Sequence, residues 1–249
     1  LCDFKTIQPL INPVKEGEEP KQILKKIERM DKGQQRIFRY RVQYSRLGAG
    51  RFLGHLEVLQ LVFRALRRAA LPLMFSQGYN PSPKVSFSPA LPVGVESQVE
   101  FFDMELAKPL LRPVESATQL DQQLPAFLSV KSITPIRKKA PVTQVVSYTC
   151  TLPESVDLEQ IALQIQVFGA AKQFLIERIR KQKRRELNLK ILVPRLEQAA
   201  EQELLFDLIQ PAAAAGTNPR EIMEKVLGLD TEQAQQVRVV KIKVREQDA

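Results

Sequence analysis

Metal-binding and redox-active side chains are scarce in this sequence of 249 residues, which contains two cysteines, Cys2 and Cys150, and a single histidine, His55. Two cysteines so far apart supply neither a disulfide framework nor the ligand set of a zinc site. We therefore expect no metal in this chain, and the low cysteine content favours a reducing cytoplasm as its location.

Long apolar runs are absent as well. Every apolar stretch is interrupted by Arg or Pro well before the roughly 20 residues that a membrane-spanning helix needs. The first residues lack the pattern of a secretory signal peptide. Hydrophobic residues make up 44% and charged residues 26% of the chain, which is typical of a folded soluble protein, so we expect no membrane partner.

Positive charge, by contrast, is in excess. The chain has 37 Lys and Arg against 28 Asp and Glu, which gives a net charge of +9 and a pI near 9.6. This balance favours nucleic acid as a partner over an anionic membrane surface. The charge is concentrated at residues 137–139 and 178–190, and only Glu177 and Glu186 offset the second cluster.

The first half of the chain has the hydrophobic pattern of a ferredoxin-like domain. Apolar and polar residues alternate from 38 to 44, which predicts a half-buried strand. A helix is predicted over 54–70, where Pro72 ends it. Further strands are predicted at 84–88, 98–106 and 130–136, with a second helix at 114–128. The order strand, helix, strand, strand, helix, strand is the ferredoxin-like order.

The second half repeats that order without detectable sequence identity. Its predicted elements are strands at 142–152, 174–179, 189–196, 203–210 and 237–244 and helices at 156–168 and 219–227. The fold class is therefore predicted to be α+β, with tandem ferredoxin-like (βαββαβ) domains, antiparallel sheets and helices on one face. The predicted division is a linker or N-terminal extension at 1–35, a first domain at 36–140 and a second domain with the basic segment at 141–249.

A rigid polar loop precedes the second strand of the first domain. Residues 78–84 read GYNPSPK, and Gly, Asn and Pro fix the backbone while side chains point outward. Tyr79 offers a stacking face, Asn80 a hydrogen-bonding edge and Lys84 a phosphate charge, so we predict that these three contact RNA. The alternative is structural, with Asn80 as a turn former and Tyr79 as a half-buried anchor.

Three arginines on the first predicted helix are further candidates. Arg64, Arg67 and Arg68 are three or four residues apart, and only Glu57 is near enough in sequence to offset them. Because like charges at this spacing repel, they are predicted to bind an anion, and Arg51 to join them across the glycine-rich turn. A solvated helix face is the alternative.

The basic segment of the second domain is the last group of candidates. A strand pair lined with cations would neutralise phosphates and make the affinity for RNA strongly salt dependent. A solvated hairpin is the alternative. The predicted RNA-binding residues here are Arg178, Arg180, Lys183, Arg184 and Arg185.

His55 is the one candidate for acid–base catalysis, because histidine changes charge near neutral pH. We favour a structural role, in which His55 caps the first helix or hydrogen-bonds to the turn at 48–50, because no metal-ligand spacing surrounds it. No Ser-His-acid arrangement follows from the spacing of the hydroxyl residues.

Four stretches of the first half resemble a known family. RFLGHL, ALRRA, SQGYNPSPKVSF and LPVGVES, at residues 51–56, 65–69, 76–87 and 91–97, are similar to the radical SAM-linked family. That family is a domain of unknown function fused to the C-terminus of cobalamin-binding-type radical SAM proteins, or encoded beside them. The resemblance covers residues 36–245 and is most specific in the first half.

The resemblance implies a radical SAM protein as partner, in cis or in trans. The chain begins at Leu1 rather than Met, and Cys2 lies in a stretch that is similar to the junction after the radical SAM part, so we expect the C-terminal part of a longer protein or a separate chain. The Cys-x-x-x-Cys-x-x-Cys motif is absent, and two cysteines cannot hold a four-iron cluster. An iron–sulfur cluster and S-adenosylmethionine are expected only in the linked radical SAM part.

These observations lead to three hypotheses. The first is an RNA-binding accessory module that positions tRNA or rRNA for a radical SAM modification enzyme. The second is a metal-independent endoribonuclease-like enzyme that uses His55 with Tyr79 and Lys84. The third is a protein-interaction domain that docks to a radical SAM partner without touching RNA. The first hypothesis requires the cationic side chains of both halves to lie on one surface.

Overall fold

Side-chain alternation along one long strand organises the first half. β1 (Phe38–Arg46) turns Tyr40, Val42 and Tyr44 into a core and leaves Gln43 exposed on the other side. The computed structural model describes residues 37–137, 143–180, 183–211 and 216–246. Within this part of the chain, β1 is an interior strand of an eight-stranded sheet, with one strand paired on each side.

The other elements of the first half follow the predicted order. They are a 3-10 turn (Gly48–Phe52), α1 (His55–Arg68), β2 (Val85–Phe87), β3 (Val95–Leu106), α2 (Pro113–Asp121) and β4 (Leu128–Pro135). β1 pairs with β4 on one side and β3 on the other, and β2 pairs with the far end of β3, all antiparallel. The spatial order β4-β1-β3-β2 is that of a ferredoxin-like domain.

The second half has the same topology with an inserted hairpin. In chain order its elements are β5 (Gln144–Thr151), α3 (Leu158–Ala170), β6 (Leu175–Arg180), β7 (Lys183–Asn188), α4 (Leu189–Leu192), β8 (Arg195–Ala200), β9 (Glu203–Gln210), α5 (Pro219–Glu221) with a following π-helical turn (Ile222–Val226), α6 (Thr231–Gln236) and β10 (Arg238–Glu246). The strand order is β10-β5-β9-β8, so this half repeats the order of the first.

The two halves share one sheet. β3 and β10 pair in parallel over Val95–Ser97 and Val239–Lys241, and the other strand pairs of the described residues are antiparallel. The prediction of tandem ferredoxin-like α+β halves is therefore confirmed, and the parallel pair adds that they form a continuous surface.

All packed helices lie on one face of the sheet, here called the helix-bearing face. In the first half, Val58, Val62 and Leu66 of α1 are buried in the same core as Val42 and Phe102. In the second half, Ile161 of α3 and Ile222 share a core with Tyr148, whose ring stacks on Phe206 with centroids 5.3 Å apart. Because side chains alternate along strands, the opposite side is a polar open face.

Ion pairs cover much of the open face. Arg39 pairs with Glu105 at 3.0 Å, and Arg41 pairs with Asp103 at 2.7 Å. In the second half Arg245 pairs with Asp207, also at 2.7 Å. Cations on this side of the sheet are therefore largely balanced by cross-strand carboxylates.

Two predicted element assignments are wrong. The helix predicted over 114–128 ends at Asp121, because the Asp121 carboxylate accepts the backbone N–H of Val130 at 2.6 Å and a proline, Pro125, follows. The strand predicted at 189–196 is wrong over its first part, because Leu189–Leu192 forms the helix α4 and β8 begins only at Arg195. The strand predicted at 174–179 is present as β6, but it pairs only with β7 and does not join the main sheet. The second strand of this half is β8 instead.

Some predictions fall outside the described residues. These are the linker at 1–35 with Cys2, the domain boundary near 140 with Lys138 and Lys139, and the side chains of Arg180 and Lys183. In the part of the chain that is described, no helix is long and apolar enough to span a membrane.

Candidate nucleic-acid interface

The exposed face of α1 has an apolar end and a cationic end. Leu56, Gln60, Arg64 and Arg67 recur every three or four residues and all are exposed, with Leu56 at 74%. We call these four residues the α1 stripe. From Leu56 to Arg67 the helix rises about 16 Å. A hydrophobic contact and a row of positive charges therefore lie along one side of a single rigid helix.

The arginines of this helix keep their positive charge uncompensated. Arg64 Nη2 donates to Gln60 Oε1 at 3.3 Å, and Arg68 donates from Nε to Gln123 Oε1 at 3.1 Å and from Nη2 to the Gln123 carbonyl. Among the described residues, no carboxylate lies within ion-pair distance of Arg64, Arg67 or Arg68. Amide and carbonyl oxygens orient a guanidinium without neutralising it, so these arginines remain available to an anion.

The 3-10 turn before α1 is held from inside by a buried arginine. Arg46, which is 3% exposed, donates from Nε to the Gly50 carbonyl at 2.8 Å and from Nη2 to the carbonyls of Arg51 and Leu53 at 3.1 and 2.6 Å. Burial lowers the pKa of Arg46, but an arginine side chain stays charged in proteins. The turn is therefore a fixed platform for Arg51 and Phe52 rather than a mobile loop.

Arg51 has a carboxylate partner. Its Nη1 lies 3.3 Å from Glu96 Oε1, and Arg238 Nη2 lies 2.9 Å from Glu96 Oε2. The Arg51 guanidinium also stacks 4.7 Å from the ring centroid of Phe52, which is 61% exposed. Glu96 and Arg238 were not predicted from the sequence, and they bring the two halves together at this point.

The loop at 78–84 presents Tyr79 to solvent. Its ring is fully exposed, so Tyr79 does not serve as a half-buried anchor, and Asn80 is exposed beside it. The loop closes through the Ser76 side chain, which accepts the backbone N–H of Ser82 at 3.0 Å. Gly78 has a φ of 142°, which favours glycine at this position.

Lys84 does not lie with the α1 stripe. Its Nζ is 3.8 Å from Glu105 Oε2. Glu105 alternates along β3 with the buried residues Met104 and Leu106, so its side chain is on the open face. Lys84 therefore belongs to an ion-paired group on the opposite side of the sheet from α1.

The cations of the β6–β7 hairpin are divided between its two sides. Arg178 pairs with Glu221, donates to the Gly216 carbonyl at 2.9 Å, and faces Arg185 across the hairpin. Arg184 is displaced by one residue, points to the other side and lies 3.4 Å from Glu177. Of the cations described in this hairpin, Arg185 alone lacks a carboxylate partner.

His55 packs against an aromatic ring. Its ring meets the edge of Phe87 with centroids 5.8 Å apart. The predicted capping role belongs to its neighbour, because Gly54 is the N-cap residue and donates its N–H to the Glu57 carboxylate. In the described part of the chain, His55 makes no hydrogen bond and no contact with Tyr79.

Metal and thiol chemistry find no support in the described residues. They contain no group of three or more His, Cys, Asp or Glu placed to hold a metal ion. Cys150 is free and buried, and burial raises the pKa of its thiol, which keeps it protonated and unreactive.

A buried polar cluster connects the two halves of the sheet. Lys241 Nζ lies 2.8 Å from Glu100 Oε1, and the hydroxyls of Ser88 and Ser97 each donate to the same carboxylate at 2.9 Å. Lys241 and Glu100 are about 5% exposed or less. No local pattern in the sequence predicts this cluster, since lysine in a strand is normally exposed.

Comparison with known proteins places the chain in a family without a described activity. The model of a family described as "Uncharacterized protein conserved in bacteria (DUF2344)" matches residues 39–235. No curated protein matches the chain. Among solved structures, the acetolactate synthase small subunit from Thermotoga maritima is similar, with 10% identity, a TM-score of 0.24 and coverage of 86% of this chain and 99% of that chain. A likeness this weak carries no argument, and the fold rests on the strand order.

Proposed function

We propose that this chain, which belongs to the DUF2344 family of uncharacterised bacterial proteins, is an RNA-binding accessory module that positions tRNA or rRNA for a radical SAM modification enzyme. The observation that carries the RNA part is the cationic end of α1. Arg64, Arg67 and Arg68 are exposed, close together and without a carboxylate partner in the described residues. The radical SAM partner follows from the sequence resemblance.

The chemistry of the surface suits a single-stranded or looped segment of RNA. Exposed Phe52 and Tyr79 offer faces on which bases stack, and base–aromatic stacking does not depend on sequence. The arginines of α1 offer charge to the backbone phosphates. Recognition of RNA by proteins concentrates on such unstacked segments.

The predicted cations do not all lie on one surface, so the proposed surface is smaller than the sequence predicted. Lys84 lies on the open face and Arg178 is bound to Glu221, so neither belongs to it. Of the predicted residues, the proposed surface keeps Arg51, Arg64, Arg67, Arg68, Tyr79 and Asn80.

The test is a binding titration of the full chain with a transcribed tRNA, followed by fluorescence anisotropy at increasing salt. We expect log K to fall linearly with log salt concentration, because bound cations are released from the phosphates. The double variant Arg64→Gln, Arg67→Gln removes two phosphate contacts, so the slope should decrease by about two.

A matched control is the double variant Arg112→Gln, Arg220→Gln. These arginines are also exposed, but each forms an ion pair, with Glu115 and Glu224 respectively. The control should bind as the wild type does. Absence of binding at low salt, or an equal loss in both double variants, would contradict the proposal.

The same titration separates the alternatives. Cleavage of the RNA by the wild type, lost in His55→Ala with binding retained, would support an endoribonuclease. RNA binding unaffected by reversal of the charge at Arg64 and Arg67 would support a protein-docking domain.

A further inference from the structure

A buried carboxylate joins two arginines from different halves of the protein. The Glu96 side chain is 2% exposed, and its Oε1 is 3.3 Å from Arg51 Nη1 while its Oε2 is 2.9 and 3.3 Å from Arg238 Nη2 and Nε. These residues lie where β1 has ended and β3 and β10 begin. Glu96 therefore fixes the position of both guanidinium groups at the end of the sheet.

The cluster carries a net positive charge and faces solvent. Two guanidinium groups share one carboxylate, and Arg51 and Arg238 are 35% and 59% exposed. Each guanidinium has five N–H donors, and the contacts with Glu96 use one of Arg51 and two of Arg238. The remaining donors suit the oxygens of a phosphate, which arginine binds through paired hydrogen bonds.

An exposed aromatic ring adjoins the cluster. Phe52 is 61% exposed and its ring lies under the Arg51 guanidinium, 4.7 Å away. The turn that carries it is already fixed by the three hydrogen bonds of Arg46. The ring therefore loses little conformational freedom when a base stacks on it.

We propose that Arg51, Arg238, Glu96 and Phe52 form a binding site for one nucleotide of single-stranded RNA, here called the junction subsite. The phosphate binds the two guanidinium groups, the base stacks on Phe52, and Glu96 positions the arginines without touching the ligand. The subsite rests on the proposed RNA-binding function and extends it, because it adds the second half of the protein to the RNA surface.

The junction subsite and the α1 stripe are separate parts of the proposed surface. Leu53 and Gly54, both with extended backbones, lie between Phe52 and α1. Arg238 alternates along β10 with the core residue Val239, so its side chain is directed away from the helix-bearing face. The subsite is therefore proposed to bind its nucleotide independently of the α1 arginines.

The test uses the full chain and a uridine oligoribonucleotide that carries one 5-iodouridine. Irradiation should crosslink the base to Phe52, as mapped by mass spectrometry of the digested protein. Arg238→Gln should weaken binding about tenfold and reduce this crosslink in proportion, because a charged contact to phosphate is lost. Phe52→Leu should also weaken binding about tenfold, through the loss of stacking, and leave the thermal unfolding temperature unchanged.

Arg245→Gln is the matched control. Arg245 also binds a buried carboxylate, that of Asp207, which is 4% exposed. It lies near the other end of β10, about 20 Å away along the strand. Both substitutions remove a guanidinium from a buried carboxylate. The loss of stability should be larger in Arg245→Gln, because Glu96 keeps Arg51 as a partner, but only Arg238→Gln should lose RNA affinity.

The outcomes distinguish this proposal from the wider one. If Arg238→Gln and Phe52→Leu bind as Arg245→Gln does while Arg64→Gln, Arg67→Gln is weakened, the cluster only clamps the halves together and the subsite is refuted. If the wild type binds no RNA at low salt, the proposed function itself fails and the subsite falls with it.

Discussion

The two halves of this protein have the same strand order, but the α1 arginines of the first half and the arginines of the second half differ in what surrounds them. In the first half, Arg64 and Arg68 of α1 are held by amide and carbonyl oxygens, and no carboxylate pairs with them. In the second half, the cations are mostly neutralised at short range, by pairs of Arg178 with Glu221, Arg184 with Glu177, Arg195 with Glu197, Arg220 with Glu224 and Arg245 with Asp207. A count of basic residues therefore overstates how much charge a domain offers to a partner.

The insertions of the two halves also differ in how they are packed. Each lies between the first helix of its half and the next strand of the main sheet. In the first half it is the loop that exposes Tyr79, whereas in the second it is the β6–β7 hairpin, whose Ile176 and Leu187 pack against the core. The ion pair between Arg178 and Glu221 attaches this hairpin to α5. The second insertion is thus packed against the protein, whereas the first exposes an aromatic side chain to solvent.

The largest expected effect concerns the seam between the halves, which is the buried cluster of Lys241, Glu100, Ser88 and Ser97. Lys241→Met leaves the Glu100 carboxylate buried, with Ser88 and Ser97 as its remaining partners. Removal of one member of a buried ion pair costs about 3–5 kcal/mol, so the free energy of unfolding should fall by that amount in a urea titration. If the halves behave as one cooperative body, the transition remains single.

The surface pair of Arg220 and Glu224 provides the control for this prediction. It joins α5 to the π-helical turn that follows it, four residues along the chain, and Arg220 is about half exposed. Arg220→Met should lower the free energy of unfolding by no more than about 0.5 kcal/mol. Comparable losses in both variants would mean that the seam is no more important to stability than an exposed ion pair.

Local patterns in the sequence predicted most of the elements but not their long-range partners. Alternation at 38–44 identified β1, because a strand with one buried face has apolar residues at every second position. The same alternation at 174–179 predicted a strand but not the sheet to which it belongs, since nothing local specifies a partner. The shift of register between Lys241 and Lys243 was likewise hidden, and with it the burial of Lys241.

The candidate site likewise contains some residues that local sequence patterns predict and others that depend on long-range pairing. The exposure of Arg64 and Arg67 followed from helical periodicity, which is local. The ion pairs of Glu96 join it to residues 45 and 142 positions away, so they depend on the parallel pairing of β3 and β10. Sequence reasoning found Arg51 as a cation but had no signal that would find the residue that orients it.

Charge reversal in each half tests the comparison directly, and has the second largest expected effect. Arg64→Glu, Arg67→Glu should weaken RNA binding by more than about tenfold, or about 1.4 kcal/mol, because two phosphate contacts become repulsive. Arg184→Glu, Arg185→Glu changes the net charge equally. It should weaken binding less than about threefold, because these side chains lie on opposite sides of the hairpin.

The reverse ranking in an anisotropy titration would move the RNA surface to the hairpin. Equal effects would indicate that only net charge matters, and the distinction between free and paired cations would fail.

The two insertions are compared by truncating one exposed side chain in each. Tyr79 is fully exposed and Ile179 is 64% exposed, so Tyr79→Ala and Ile179→Ala should both leave the free energy of unfolding within about 0.5 kcal/mol of the wild type. Only Tyr79→Ala should weaken RNA binding, about fivefold or about 1 kcal/mol, through lost stacking. An unchanged affinity in Tyr79→Ala would remove the loop from the proposed surface.

The smallest expected effect is a pH dependence that the two halves share equally. Tyr44 and Tyr148 lie one in each half, and burial, followed by the negative charge of Glu100, raises the pKa of both phenols above the ordinary 10.0. Both stay neutral in the folded protein, whereas in the unfolded chain they ionise above about pH 10. The contribution of these two tyrosines to the free energy of unfolding is therefore fully present below pH 10 and decreases as the pH rises beyond it. Between pH 8 and 10.5 each tyrosine should account for about 0.8 kcal/mol of the loss.

Urea titrations of Tyr44→Phe and Tyr148→Phe at the two pH values measure these contributions. Each variant should lose about 0.8 kcal/mol less than the wild type between pH 8 and 10.5. A reduction in only one variant would mean that burial keeps only that phenol neutral at pH 10.5. Equal reductions would show that both phenols stay neutral in the folded protein.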